Sequence, residues 1–112
     1  MSNVEIHFEA QGPAPVFAAL GDPTRLSLLT RLSDGEARSI AKLSSDARIS
    51  RQAITKHLHV LEEAGLVSRR RSGRESQFAY RPDSVAAAKA YLDLVSNQWD
   101  AALSRLRAFV ED

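Results

Sequence analysis

The chain has no cysteine in 112 residues. That excludes disulfide frameworks, thiolate zinc sites, cysteine nucleophiles and thiol redox sensing together. Histidine occurs three times, as His7, His57 and His59. No glycine-rich phosphate loop and no nucleophile–base pattern accompanies them, so the chain does not read as an enzyme and no cofactor is expected. No apolar run approaches the ~18 residues of a membrane span. Met1 to Gln11 lacks the basic residue and following hydrophobic stretch of a secretory leader, so a cytoplasmic address is expected.

What is present reads as an ordinary folded protein, with 44% hydrophobic and 26% charged residues. The length suits one domain. Residues 1–12 are weakly periodic, end near Gly12-Pro13 and read as a tail or arm, leaving 13–112 as the domain. The net charge is only +1, but its placement is uneven. Residues 50–81 hold seven bases and three acids, while residues 1–21 and 82–112 each carry −2. A near-neutral protein thus gathers its positive charge in one block, as a protein facing a polyanion does.

Local signals divide the chain into short elements. Val16, Phe17, Ala19 and Leu20 follow Pro15 as a short apolar helix that ends at Gly21. Asp22-Pro23 starts a second helix, with Leu26, Leu29 and Leu32 on one face, and Asp34-Gly35 stops it. Residues 36–38 have room for a small strand. Ser39 caps a short helix over 40–43, a polar turn follows, and Ser50 caps a helix that runs to Ala64 and stops at Gly65. Ile54, Leu58 and Leu61 form the inner face of that helix. Arg51, Gln52, Lys56, His59 and Glu63 lie on or near the opposite face, with Thr55 at its edge. Leu66–Arg71, a turn over Ser72–Glu75, and Ser76–Tyr80 read as a hairpin.

After Arg81-Pro82 comes a long helix, Val85 to about Val110. Val85, Ala88, Leu92, Val95, Trp99, Ala102, Leu106 and Phe109 recur at alternating spacings of three and four. A stripe this long in so small a protein is expected to bury part of itself against another chain.

The fold class is therefore mainly α with a small β-hairpin: a helix-turn-helix followed by a wing. A helix of about 15 residues fits the major groove of duplex DNA. Arg51 and Lys56 can donate to guanine or phosphate, Gln52 to adenine or phosphate, and Thr55 can meet a thymine methyl. His59 faces outward, whereas His57 lies nearer the apolar face and reads as semi-buried structure. The helix starts at Ser39 and Ser50 can present amides to phosphates. Arg69, Arg70, Arg71 and Arg74 crowd the hairpin turn with only Glu75 in opposition, an arrangement that favours a nearby anion such as a DNA backbone or minor groove. Arg25 is expected to brace the second helix by pairing with an acid.

These residues resemble the ArsR-type winged helix-turn-helix repressors. The resemblance lies in the runs Phe17–Arg25, Ile49–Leu58 and Leu61–Val67 together with Gly73-Arg74, and it covers roughly residues 15–110. It implies a homodimeric transcriptional repressor that dimerises through its first and last helices. Val16, Phe17 and Leu20 would then join Leu92, Val95, Trp99, Ala102, Leu106 and Phe109 at the interface, and double-stranded operator DNA would be the partner. The chain departs from metal-sensing relatives, which carry cysteines before the recognition helix or aspartate and histidine ligands on the last helix. Here the first region reads Ser39-Ile40-Ala41-Lys42-Leu43, and the last helix has Asp93 and Asp100 but no histidine. No metal site is expected. The rival reading is a winged helix used for protein contact, which would call for an uncharged wing and an apolar outer face on 50–64.

Overall fold

The computed structural model describes residues 12–45 and 47–111, so the expected arm lies outside them apart from Gly12. The element order is α1 (Ala14–Leu20), α2 (Pro23–Leu32), β1 (Arg38–Ser39), α3 (Ile40–Ser44), α4 (Arg51–Glu63), β2 (Val67–Ser72), β3 (Glu75–Tyr80) and α5 (Pro82–Glu111).

Three helices start where a side-chain cap was expected. Asp22 Oδ2 accepts from the Arg25 amide at 3.0 Å, Ser39 Oγ from the Lys42 amide at 3.1 Å, and Ser50 Oγ from the Ala53 amide at 3.1 Å. Each satisfies one of the amides that a helix start leaves without an internal partner. The hydrogen bond from the Arg25 amide also holds the Asp22 carboxyl below its ordinary range.

The two shortest helices need help at their other ends, since a helix of one or two turns does not persist alone. Two arginines of α2 supply it. Arg25 Nε donates to the Ala19 carbonyl at 2.6 Å and its Nη2 to the Ala18 carbonyl at 3.3 Å, closing α1. Arg31 donates to the Leu43 carbonyl at 2.9 Å and the Lys42 carbonyl at 3.4 Å, closing α3. Arg25 was expected to brace the second helix through an acid; its guanidinium instead reaches the carbonyls that end α1. The carbonyls at a helix C-terminus carry partial negative charge and suit a guanidinium.

The sheet is larger than a hairpin. Its three antiparallel strands run in the order β1-β3-β2, with Arg38 opposite Phe78 and Ser39 opposite Gln77. The brief strand near residue 38 therefore has a partner, which its two residues could not announce. Arg38 is fixed by Asp34, 2.7 Å away, and the Arg38 side chain draws the Asp34 carboxyl down to about 2. The hairpin turn is tighter than expected. Ser72 pairs with Glu75, leaving Gly73 and Arg74 as a two-residue loop. Gly73 has φ +63° and Arg74 does not have positive φ, which is the pattern of a type II′ turn.

The core forms where these elements meet. Leu32 of α2, Leu43 of α3, Ile54, Leu58 and Leu61 of α4 and Phe78 of β3 are all at most 1% exposed. Helix α5 begins at Pro82, three residues before its expected start, because proline is well suited to a first helical position. At 30 residues it is about 45 Å long, and only Ala87 and Ala88 in its first turns are buried. The rest of it extends the molecule to 67 Å. No helix among the described residues is long and apolar enough to cross a membrane.

Candidate nucleic-acid interface

Helix α4 is held by its inner face. Ile54, Leu58 and Leu61 are buried, which turns Arg51, Gln52, Lys56, His59 and Glu63 to solvent. Thr55 is half-buried, and its hydroxyl donates back to the Arg51 carbonyl at 2.9 Å. That bond leaves Thr55 its methyl and oxygen lone pairs for an outside partner, but not its proton. Ser50 Oγ is engaged by Ala53, so the first two amides of α4, at Arg51 and Gln52, are those a helix start leaves open. Ser39 Oγ is likewise engaged as a cap, and α3 behind it has only five residues.

The helix ends as firmly as it starts. Gly65 has φ +78°, its amide donates to Glu62 at 2.9 Å, and the Leu66 amide donates to Leu61 at 3.0 Å. This paired closure requires a left-handed residue, which glycine supplies without steric cost. It also sends the chain directly into the wing, and the Arg81 amide ties the wing's far end back to the Leu66 carbonyl at 2.9 Å.

In the wing the arginines are sorted by the strand's alternation. Val67, Arg69 and Arg71 share the face that carries Phe78 and Tyr80, while Arg70 shares the other with Gln77. Arg69 Nε lies 3.6 Å from Glu62 Oε2, so this cation links wing to α4. Arg70, Arg71 and Arg74 are exposed, and none forms an ion pair among the described residues. The four guanidiniums are therefore spread over two faces and the loop instead of forming one cluster.

Two further cations belong beside these. Lys42 on α3 and Arg48 in the turn before α4 are both exposed. The charge tally hides them, because four acids in residues 22–49 offset the five bases there. The motif was the available signal, since both lie on the helix-turn-helix itself. His57 is semi-buried as expected, in contact with Arg25 and near Asp22.

The residues expected at a subunit contact divide in two. On α5, Leu92 is 53% exposed, Trp99 64%, Leu106 57% and Phe109 81%, with Val95 and Ala102 half-buried. On α1, Phe17 and Leu20 are partly buried against the core, and the Phe17 ring lies 6.0 Å from that of Tyr91 on α5. Val16 departs from expectation. It is 5% exposed and sits inside the protomer's own core, so its side chain is not available to a partner. Tyr91 is absent from the sequence-derived set because it falls off the stripe. Among the described residues no three His, Asp or Glu side chains gather as metal ligands would.

The sequence and the fold both have known counterparts. The family described as a helix-turn-helix domain matches residues 20–70. The HTH-type transcriptional regulator YuzN of Bacillus subtilis is 45% identical over a segment covering 53% of this chain and 71% of its own. The solved structure of an ArsR-like transcriptional regulator from Rhodococcus sp. RHA1 has 35% identity and a TM-score of 0.75, covering 87% of this chain and 91% of its own. The homodimeric winged helix-turn-helix DNA-binding domain of Mb0332 from Mycobacterium bovis has 26% identity and a TM-score of 0.60, covering 76% and 78%. With this fold and these relatives, the chain belongs to the ArsR family of winged helix-turn-helix transcriptional regulators.

Proposed function

We propose that two copies of this chain pair and bind a pseudo-palindromic DNA operator in a sequence-specific way, repressing transcription by occupying a promoter in the cytoplasm. The observation that carries this is the outer face of α4. Arg51, Gln52, Lys56 and His59 are exposed together, on a helix fixed by three buried residues and a closed end, beside an arginine-bearing wing. In this reading Arg51, Gln52 and Thr55 meet base edges, and Lys56 and His59 meet bases or the nearer backbone. Ser39 and Ser50 direct helix starts at phosphates, and Arg70, Arg71 and Arg74 follow the flanking backbone or minor groove. Arg69, held by Glu62, sets the angle of the wing.

Pairing is supported by the bare apolar stripe of α5 and by the homodimeric state of Mb0332. Leu92, Val95, Trp99, Ala102, Leu106 and Phe109 would form the seam, with Phe17 and Leu20 at its edge. A paired arrangement would set the two α4 helices about 34 Å apart, one turn of DNA. Repression rests on the family resemblance. Regulation without metal rests on donor chemistry: α3 offers no thiolate and α5 no imidazole.

Salt separates this from docking to a protein. Affinity for a duplex is expected to fall about 10³-fold or more between 50 and 200 mM salt, as counterion release at six or more phosphates requires. An affinity that stays flat across that range would favour the protein-docking alternative.

A further inference from the structure

We propose that Arg25 and His57 form a proton-sensitive latch that positions α4 against α1, so that specific DNA reading weakens when His57 is protonated. The proposal rests on the DNA-reading function above and adds a regulatory input to it.

The geometry is directional. Arg25 Nη1 lies 3.2 Å from His57 Nδ1. A guanidinium only donates, so the contact requires Nδ1 to be an acceptor, and the imidazole to be neutral with its proton on Nε2. The same guanidinium is anchored on the Ala18 and Ala19 carbonyls at the end of α1. One side chain therefore spans α1, α2 and α4, and its hold on α4 is the single bond that depends on protonation.

The other neighbour of Nδ1 is Asp22 Oδ2, at 3.8 Å. Protonation turns Nδ1 from acceptor to donor. It then releases Arg25, repels it, and gains Asp22 as partner. The imidazole is reached by solvent, its side chain being 24% exposed. Of the other charged groups on elements packed against α4, Arg31 of α2 donates to the Leu43 and Lys42 carbonyls. Helix α1 has no titratable side chain, Lys42 of α3 is exposed, and Arg69 of β2 is paired with Glu62. On α4 itself, the residues a turn away on either side (Ala53, Ile54, Val60 and Leu61) are apolar, and Glu63 is exposed near Arg25.

A helix moves as a rigid rod over this length, so a small rotation at His57 displaces Gln52 and Arg51. Phosphate contacts tolerate such a shift better than aligned hydrogen bonds to base edges. The latch is thus a positioning device whose loss lowers discrimination before it lowers affinity for DNA in general.

The test compares wild type, His57→Asn and His57→Leu on a selected operator duplex and on a random duplex. It uses fluorescence anisotropy from about pH 8 to about pH 5.5. Asparagine keeps an acceptor near the Nδ1 position and cannot be protonated there, whereas leucine removes it. The wild-type ratio of operator to random affinity is expected to fall about tenfold on acidification. His57→Asn should hold the high-pH ratio throughout, and His57→Leu should show the low ratio at every pH. All three retain His59, so its added charge cancels from the comparison.

Matching pH profiles for wild type and His57→Asn would overturn the latch while leaving DNA reading intact. Wild type that binds no duplex at pH 8 would overturn both. Nitrogen-detected imidazole NMR reads the tautomer without any DNA: a proton on Nε2 at pH 8 is expected, and a proton on Nδ1 would contradict the latch.

Discussion

Gly65 and Gln52 mark two kinds of residue in this domain. Gly65 is fixed by backbone geometry, with φ +78° in the closure of α4. An added Cβ would stand 2.8 Å from Ser84 Oγ, although that hydroxyl can rotate away. The backbone strain cannot be relieved so easily. Gly65→Ala is expected to lower stability by about 1–2 kcal/mol in urea unfolding. Gly65→Asn should cost less, because asparagine tolerates the left-handed region. Equal stability for alanine and glycine would mean the closure is not strained. Gln52 is exposed on α4, and in the proposed reading its role lies outside the protomer. Gln52→Ala should cost ~1–3 kcal/mol on an operator and little on random DNA, with unchanged melting temperature. Equal losses on both duplexes would assign it to phosphate instead.

Legibility at this scale followed the range of the interaction. Asp22, Ser39 and Ser50 cap helices three residues away, and such local bonds can be read from a single line of sequence. Arg25 and Arg31 close helices that lie six to twelve residues away, where spacing carries no signal. The expectation of an acid partner for Arg25 followed charge and overlooked the carbonyls at the end of α1.

Among the elements, α4 and α5 were visible because their apolar positions recur with helical periodicity. Strand β1 was legible only as room for a small strand over 36–38, since two residues have no period and its pairing with β3 leaves no local signal. The wing shows what alternation adds. Three consecutive arginines look like one cluster in sequence, yet the pleat sends Arg70 to one face and Arg69 and Arg71 to the other. Arg69 is also paired with Glu62, so in the proposed reading Arg70 and Arg71 are the arginines of this strand left for phosphate. Replacing Arg70 and Arg71 together by alanine should weaken operator and random duplexes alike. It should also make the log–log salt slope shallower, by about 0.9 for each phosphate that the bound assembly no longer neutralises. An unchanged slope would remove the wing from the backbone.

At the scale of the whole molecule, α5 is the element whose apolar surface the protomer leaves uncovered. Its first turns join the core through Val85 and Ala88, and beyond Tyr91 large apolar side chains stand in water. Fully burying one such side chain contributes about 1.5–3 kcal/mol, so the stripe offers ample driving force for pairing. Val16 could not be separated from Phe17 and Leu20 by sequence, because the side of a two-turn helix that meets the core depends on how α2 and α4 pack against it. Trp99→Glu places a charge in the proposed seam without touching the protomer core. It should sediment as a monomer with helix content retained. A stable Trp99→Glu dimer would move the seam elsewhere.

The central claim, a paired reader of duplex DNA, is tested most directly by selecting bound sequences from a random duplex library and counting the chains on each selected duplex. The expected result is an inverted repeat whose half-site centres lie about 10 base pairs or a multiple apart, bound by two chains. Selection of no common sequence, or of a single asymmetric site held by one chain, would contradict it.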